Sequence, residues 1–217
     1  MNAIALLVLI AFRTTLNAAQ PAAASPKSFF LVASHNMPDP VFQQTVILML
    51  PSDEPPLVAG VIINKPTKVT LSNLFKQQIS PSERNQKVYF GGPVEISEPL
   101  LVVRTSQPPA SAIPLAGNVY AEADPRLISN WLRNNTSNRN GRLFMGRAQW
   151  AQEQLRGELL EGAWTVVPLR SDLIFDDNPA RVWSLLSQHE HVREIGAHCD
   201  ETLGALSLTM CRGSFAW

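Results

Sequence analysis

Residues that could bind a metal concentrate near the C-terminal end of the sequence. Three of the four histidines, His189, His191 and His198, lie there, and Cys199 follows the last of them. Imidazole and thiolate are preferred zinc ligands. Apolar residues over 181–195 recur with helical periodicity, however, and this places His189 and His191 on nearly opposite sides of the expected helix. Because the two rings could not share one ion without unwinding that helix, the sequence predicts no metal site.

Cys199 and Cys211 are the only cysteines of the chain. In an oxidising compartment they would close a short loop, and a disulfide there would stabilise the tail by on the order of 3 kcal/mol. In a reducing cytosol both residues would remain free thiols. A Cys199–Cys211 disulfide is therefore expected only if the chain is exported.

Residue types of a catalytic triad occur together at Ser34, His35 and Asp39. They lie so close in the sequence that a hydrogen-bonded loop is the simpler interpretation, because serine and aspartate side chains regularly close turns. The sequence also lacks a glycine-rich phosphate loop, a His-Glu-x-x-His motif and a Gly-x-Ser-x-Gly nucleophile turn. The residues alone therefore predict no catalytic group and no cofactor.

One segment has a marked local charge asymmetry. Positions 126–152 contain no Asp or Glu, and aromatic residues are interleaved with five arginines. These are Arg126, Arg133, Arg139, Arg142 and Arg147. Such a composition is typical of a surface that binds phosphates or RNA. The alternative, in which the arginines pair with acids elsewhere, is favoured by the balance of 18 Lys+Arg against 18 Asp+Glu.

The N-terminal residues resemble a secretory signal. Residues 3–12 (AIALLVLIAF) form an apolar run, and Ala22 and Ala24 fit the small-x-small cleavage rule. We therefore expect a signal peptide over 1–24, a linker over 25–28 and export to the periplasm or the extracellular space. Since no Lys or Arg precedes the run, a cytoplasmic location is the alternative. No run of about 18 apolar residues occurs, which predicts that the mature chain has no membrane-spanning helix.

The pattern of secondary structure is that of a mixed α and β protein. The length of 217 residues suffices for one or two domains, and 45% hydrophobic residues is ordinary for a globular core. Apolar, β-branched runs predict strands over 28–34, 45–50, 57–64, 87–90, 100–104, 118–121, 142–146 and 164–167. Capping and periodicity predict helices over 70–78, 124–135, 150–160 and 180–188. Strand pairs come first and strand–helix alternation follows, an order that favours an α+β fold with a mixed sheet.

Short motifs along the body of the chain together resemble one known family, the AlgH/YqgE-like family. The matching segments, in the family's order, are FLVAS at 30–34, MPDPVF at 37–42, TVIL at 45–48, GVIINKP at 60–66, VYFGGPV at 88–94, GRAQW at 146–150 with Gln154, Leu155 and Glu158, and finally Trp164 and Trp183. Each motif alone is weakly specific, but their number and order make the resemblance specific. Arg147 and Gln149 stand where the family motif has Tyr and Gly.

The resemblance implies an α+β fold over 29–188, in which a mixed, bifurcated β-sheet forms a partial barrel with flanking helices. Residues 189–217 would form a C-terminal tail in place of the family's usual last segment. The family has no established activity, and its members are commonly labelled transcriptional regulators, so no catalytic residue, metal ligand or cofactor is carried over. The resemblance implies a non-catalytic binding or regulatory protein with a protein or small-molecule partner.

The candidates for a ligand or partner surface are Asp39, Asn64, Gly91, Gly92, Trp150, Gln154 and Glu158. The four polar motif residues Asp39, Asn64, Gln154 and Glu158 have no evident capping role, whereas Gly91 and Gly92 suit a turn and a close approach of backbones. An alternative hypothesis is a hydrolase or nucleotide-handling enzyme that uses Asp39, Asn64 and Glu158. That hypothesis requires the three side chains to lie within hydrogen-bond reach of one another in a pocket. Direct regulation of DNA is a third hypothesis, and it needs the expected helix over 124–135 to enter a groove.

The predictions about the two ends of the chain can be tested together by intact mass measurement and N-terminal sequencing of the protein from its own cells. Export predicts a chain that begins at Ser25 and is two hydrogens lighter than the dithiol form, because an oxidising compartment pairs Cys199 with Cys211. A chain that begins at Met1 and carries free thiols would contradict both predictions.

Overall fold

The computed structural model of the protein describes residues 28–51, 57–75, 79–81, 84–134 and 140–188. The expected signal peptide, nearly all of the linker, the histidine-rich tail and both cysteines lie outside the described residues. The predictions made for those segments therefore stay predictions.

The described part of the chain contains ten strands and five helices. The strands are β1 (Phe29–Ala33), β2 (Val46–Met49), β3 (Leu57–Ile62), β4 (Pro66–Thr70), β5 (Lys87–Phe90), β6 (Val94–Arg104), β7 (Ile113–Ala116), β8 (Val119–Glu122), β9 (Gly141–Ala151) and β10 (Trp164–Pro168). The helices are α1 (Leu71–Phe75), α2 (Pro125–Asn134), α3 (Gln152–Leu160), α4 (Ser171–Ile174) and α5 (Ala180–Ser187). No helix in these ranges combines the length and apolar character that crossing a membrane requires.

The strands form one curled sheet, and the expected α+β fold with a bifurcated, half-barrel sheet is confirmed. The strand order is β10-β1-β2-β3-β9-β6-β8-β7, with β5 also bound to β9 and β4 bound to β5. All pairings are antiparallel except that of β5 with β9, which makes the sheet mixed.

Strand β9 is the branch point of this sheet. Its last residues, Ala148–Ala151, pair with β3, whereas Gly141–Met145 and, after an irregularity, Arg147 pair with β6. On the other side of the first part, Phe144 and Met145 pair with β5. Gly146 lies at the change of partners and has φ +72°, a conformation that glycine adopts without steric cost.

Glycines allow the backbones at the branch to approach closely. The Gly91 N–H donates to the Met145 carbonyl at 2.8 Å, and the Gly91 carbonyl accepts from the Ile62 N–H at 2.9 Å. A Cβ on Gly91 would overlap the carbonyl oxygen of Gly146, and one on Gly92 would overlap the backbone of Arg147. The lack of a side chain at Gly91 and Gly92 thus lets their backbone pass close to that of Gly146 and Arg147 in β9.

Alternating side chains of the sheet build cores on both of its faces. In β1, Phe30 and Val32 belong to one core with Val182 and Leu186 of α5. Leu31 and Ala33 belong to a second core, which is completed by the following group: Ile47, Ile62, Trp150, Leu155 of α3, and Trp164. Because Phe30–Ala33 of β1 and all four residues of β2 are buried, their continuous apolar runs are the pattern of strands covered on both faces.

The structure corrects several sequence-based boundaries and adds three elements. The strand expected over 100–104 begins at Val94, and the strand expected over 142–146 continues to Ala151. The helix expected over 150–160 begins only at Gln152, because Trp150 still pairs with Val58 in the β3–β9 ladder. Strands β4 and β7 and helix α4 were not predicted. β4 begins at Pro66 and is mostly exposed, so it lacks an apolar run, and α4 is a single four-residue turn.

We predict that Gly91→Ala lowers the free energy of unfolding by at least about 2 kcal/mol, because its Cβ would meet backbone that cannot rotate away. Gly157→Ala in α3 is the matched control, since nothing lies within 4 Å of its added Cβ. That control should stabilise the chain by about 0.5–1 kcal/mol. Urea denaturation of both variants is the measurement, and equal effects would contradict close packing at the branch.

Candidate functional site

Residues 34–45 connect β1 to β2, and we call this segment the braced loop. Asp39 organises its centre by accepting the Val41 N–H on Oδ1 at 2.8 Å. The Asp39 carbonyl also accepts the N–H groups of Phe42 and Gln43, both at 3.0 Å. An aspartate that closes a turn on its own backbone in this way gives the loop a defined local conformation.

Asn64, at the end of β3, holds the point where the braced loop enters β2. Its Oδ1 accepts the Val46 N–H at 2.9 Å, and its Nδ2 donates to the Gln44 carbonyl at 2.8 Å. The side chain is buried, and both bonds replace those that a neighbouring strand would make. Gln44 has φ +54°, and the Asn64 amide holds it in that sparsely populated conformation.

Lys65 braces the other side of the same loop. Its Nζ donates to the Val41 carbonyl at 2.7 Å. Burial lowers the pKa of the Lys65 ammonium group, and the nearby Asp39 carboxylate opposes that shift by favouring the charged form. Lys65 and Asp39 therefore hold the same turn, Lys65 at the Val41 carbonyl and Asp39 at the Val41 N–H.

Phe42 anchors the braced loop on two tryptophans. Its ring is stacked on that of Trp150, with centroids 5.8 Å apart, and meets the edge of the Trp164 ring at 5.5 Å. The two indoles pack edge to face at 5.8 Å. These are preferred arrangements of aromatic pairs, and they tie the loop to the ends of β9 and β10.

Glu158 of α3 orients both indoles. Its Oε2 accepts the Nε1–H of Trp150 at 3.0 Å and that of Trp164 at 2.8 Å. The other oxygen, Oε1, accepts Nε2–H of Gln154 at 2.9 Å. One carboxylate thus satisfies two buried indole donors, each on a residue that is only 3% exposed.

The predicted site residues fall into two groups. Asp39, Asn64, Trp150, Gln154 and Glu158 hold or underlie the braced loop, as the hydrogen bonds and ring contacts above show. Gly91 and Gly92 lie at the branch of the sheet. Among the described residues no hydrogen bond joins Asp39, Asn64 and Glu158 to one another, and each is engaged by other groups.

The triad residue types at the start of the braced loop have structural partners. The Ser34 N–H donates to the Ala163 carbonyl at 2.9 Å, and the His35 ring packs 4.8 Å from that of Trp183. Within the described ranges, no group of three or more His, Cys, Asp or Glu residues is placed to hold a metal ion.

The arginine-rich segment is not one continuous surface. Arg126 and Arg133 are exposed on α2, and Arg147 forms an ion pair with Glu95 at 2.7 Å. Arg139 lies outside the described residues. The expectation that Arg142 could contact nucleic acid is wrong, because the residue is only 7% exposed.

Arg142 instead lies inside the half-barrel. Its guanidinium is 4.8 Å from the centre of the Tyr89 ring and donates to the Asp176 carbonyl. Burial lowers the pKa of the Arg142 guanidinium and raises the pKa of the Tyr89 phenol. Through this hydrogen bond, Arg142 links β9 to the segment that follows α4.

Sequence reasoning missed three residues of the site: Phe42, Lys65 and Trp164. All three lie within or beside the motifs that carry the family resemblance. Phenylalanine and tryptophan are commonly buried rings, and lysine commonly extends its amine to solvent, so residue type alone does not indicate that these three residues hold the loop. Only their tertiary contacts show it.

The described residues thus form an α+β protein in which a curled, branched sheet holds a hydrogen-bonded loop on a pair of tryptophans. The AlgH-like family model (DUF179) matches residues 30–193. The chain therefore belongs to the AlgH-like family, and the resemblance seen in the motifs is confirmed.

Relatives and solved structures agree with this assignment. The chain is 32% identical to a UPF0301 protein of Streptomyces avermitilis over 162 residues, which cover 70% of this chain and 80% of the relative. It is 33% identical over 155 residues to a UPF0301 protein of Azoarcus sp. strain BH72, with 69% and 81% covered.

Two solved structures share the fold at 24% sequence identity. The solution structure of the AlgH protein from Pseudomonas aeruginosa superposes with a TM-score of 0.60 and covers 91% of this chain and 99% of that chain. The crystal structure of protein DIP2367 from Corynebacterium diphtheriae has a TM-score of 0.58, with 78% and 89% covered.

We predict that Glu158→Ala lowers the free energy of unfolding by about 2–4 kcal/mol, because it leaves two buried indole N–H groups without an acceptor. Glu158→Gln should retain most of the stability, since one amide oxygen can still accept from both indoles. Glu161→Ala, in an exposed position after α3, is the control and should change the value by less than about 0.5 kcal/mol.

Chemical denaturation measures the free energies of unfolding of the three variants. The indole N–H resonances of Trp150 and Trp164 report the hydrogen bonds directly. A Glu158→Ala variant with an unchanged free energy of unfolding would show that the carboxylate does not hold the two tryptophans.

Proposed function

We propose that the protein is a non-catalytic binding protein that presents the braced loop to a partner. The observation that carries this proposal is how the candidate polar side chains are used. Asn64 and Lys65 donate to loop carbonyls, and Glu158 fixes the tryptophans beneath Phe42. Groups that the enzyme hypothesis would use as acids, bases or ligands are therefore engaged in ordering one loop.

A loop ordered in this way is suited to recognition. Asn64, Trp150 and Trp164, which hold the loop from below, are buried. The outward residues of the loop are exposed: His35, Asn36, Pro38, Asp39, Pro40, Gln43 and Gln44. Binding to a pre-ordered loop loses little conformational entropy, so more of the contact free energy appears as affinity. Rigidly held loops on a scaffold are where binding residues are commonly found.

The exposed residues of the loop are mainly amides and prolines with one carboxylate. Such a surface offers hydrogen-bond donors and acceptors on a fixed backbone, which suits a protein partner better than a nucleic acid. Binding without turnover would let the chain regulate that partner. The apolar run at 3–12 and the cleavage pattern at Ala22 and Ala24 favour a partner in the cell envelope or outside the cell.

The test compares two double variants of the full chain in a pull-down from its own cells, read by quantitative mass spectrometry. Asn36→Glu with Pro38→Glu adds two charges to the exposed part of the loop. Pro114→Glu with Asn118→Glu makes the same two changes at exposed positions of the β7–β8 hairpin. We expect a partner that the unmodified chain and the hairpin variant retain and that the loop variant retains at least ten-fold less.

Equal melting temperatures of the two variants would confirm that both are folded. Identical sets of retained proteins for loop and hairpin variants would contradict the proposal, because the loop would then contribute nothing to recognition.

A further inference from the structure

A groove of about 320 Å³ lies between α2 and the sheet, at a site that the braced loop does not include. Leu101 and Val103 of β6 form its apolar floor, and Leu127, Asn130 and Trp131 line it from α2. This volume is at the lower end of the range of about 300–1,000 Å³ for small-molecule sites. The groove therefore has room for a ligand the size of one ring or one side chain.

Glu122, at the end of β8, brings a buried negative charge to this groove. The residue is only 4% exposed, and it lines the groove. Its Oε1 accepts the Asp124 N–H at 2.8 Å and its Oε2 accepts the Ser111 hydroxyl at 2.9 Å. Among the described residues, none forms an ion pair with Glu122. A buried carboxylate without a cation carries a large desolvation cost, which a bound cation would offset.

Trp131 and the amides around it complete the lining. The benzenoid edge of Trp131 lies against Gly141, where even a Cβ would overlap it, so the ring position is fixed. Asn130 Oδ1 accepts from Asn134 Nδ2 at 2.9 Å, which orients the Asn130 side chain. An indole face attracts cations and stacks with planar ones, and side-chain amide oxygens accept additional N–H groups.

We propose that this groove binds a planar organic cation of the guanidinium or amidinium class, with Glu122 as the counter-ion and Trp131 as the aromatic platform. Each carboxylate oxygen accepts one structural hydrogen bond and keeps a second lone pair for the ligand. Two parallel N–H groups on one plane match a carboxylate in both charge and geometry. A neutral ring could fill the same volume but would leave the charge of Glu122 uncompensated.

The direct test titrates benzamidine into the full chain and follows the amide and indole resonances by NMR. Benzamide is the matched neutral probe, since it has the same ring and a planar amide without the charge. We expect benzamidine to shift the signals of Trp131 and Asn130 and to bind at least ten-fold more tightly than benzamide. Equal binding of the two probes, or no binding of benzamidine, would overturn the proposal.

A variant pair tests the counter-ion. Glu122→Gln can keep both structural bonds, because its Oε1 can accept the Asp124 N–H while its Nε2 donates to the Ser111 hydroxyl oxygen. We expect this variant to bind benzamidine at least ten-fold more weakly than the unmodified chain. Glu95→Gln removes one carboxylate charge at an exposed position and should leave the affinity unchanged. Unchanged affinity in a folded Glu122→Gln chain would refute the assignment, and if that variant does not fold, the benzamide comparison decides alone.

The cation could be a free small molecule or an arginine side chain of a peptide. A capped Gly-Arg-Gly peptide, titrated in parallel, distinguishes these sources, because its flanking backbone would have to fit at the mouth of the groove. Tighter binding of the peptide than of benzamidine assigns the groove to a peptide, and the reverse assigns it to a small molecule. Failure of both probes would remove the groove proposal and leave the braced loop untouched.

Discussion

The whole architecture depends on one strand that must bind different neighbours along its length. The first part of β9 lies between β5 and β6, and its last part pairs with β3. Such a change of partner requires the backbone to turn and the neighbouring chain to approach without side chains between them. Gly146, with φ +72°, supplies the turn, and Gly91 and Gly92 supply the approach. The position of the last part of β9, including Trp150, depends on this change of partner.

The braced loop follows from that geometry. Because β9 continues past the branch to Trp150, it delivers one indole to the edge of the second core, and β10 delivers Trp164 beside it. Helix α3 then brings Glu158 to both Nε1–H groups. The motif residues that carry the family resemblance are thus explained largely by two structural tasks, the branch and the loop. Asp39, Asn64 and Glu158 make hydrogen bonds that order the loop or the tryptophans beneath it.

Sequence reasoning predicted the class of fold, and it singled out motif residues whose contacts within the sheet it could not predict. The apolar, β-branched runs at 28–34 and 45–50 indicated strands, which are β1 and β2, and Gly91-Gly92 suited the close backbone approach that the branch requires. The end of β9 was misjudged because Trp150 begins a helix-like pattern while its backbone still pairs with Val58. Arg142 was included in a possible phosphate-binding patch, since no sequence pattern shows that Tyr89 and the Asp176 carbonyl enclose it. A local sequence pattern shows the periodicity of one element, but it does not show which distant residues the curled sheet brings into contact.

The braced loop also has a consequence for the timing of synthesis. Its anchor, Phe42, is made early, whereas Trp150, Glu158 and Trp164 leave the ribosome more than a hundred residues later. Contacts between such distant positions form late, because closing long stretches of chain is entropically costly. The loop can therefore acquire its final shape only after nearly the entire domain has emerged. A chain that ends before Trp164 lacks one of the anchors of the loop, so the proposed partner would engage only molecules synthesised beyond that residue.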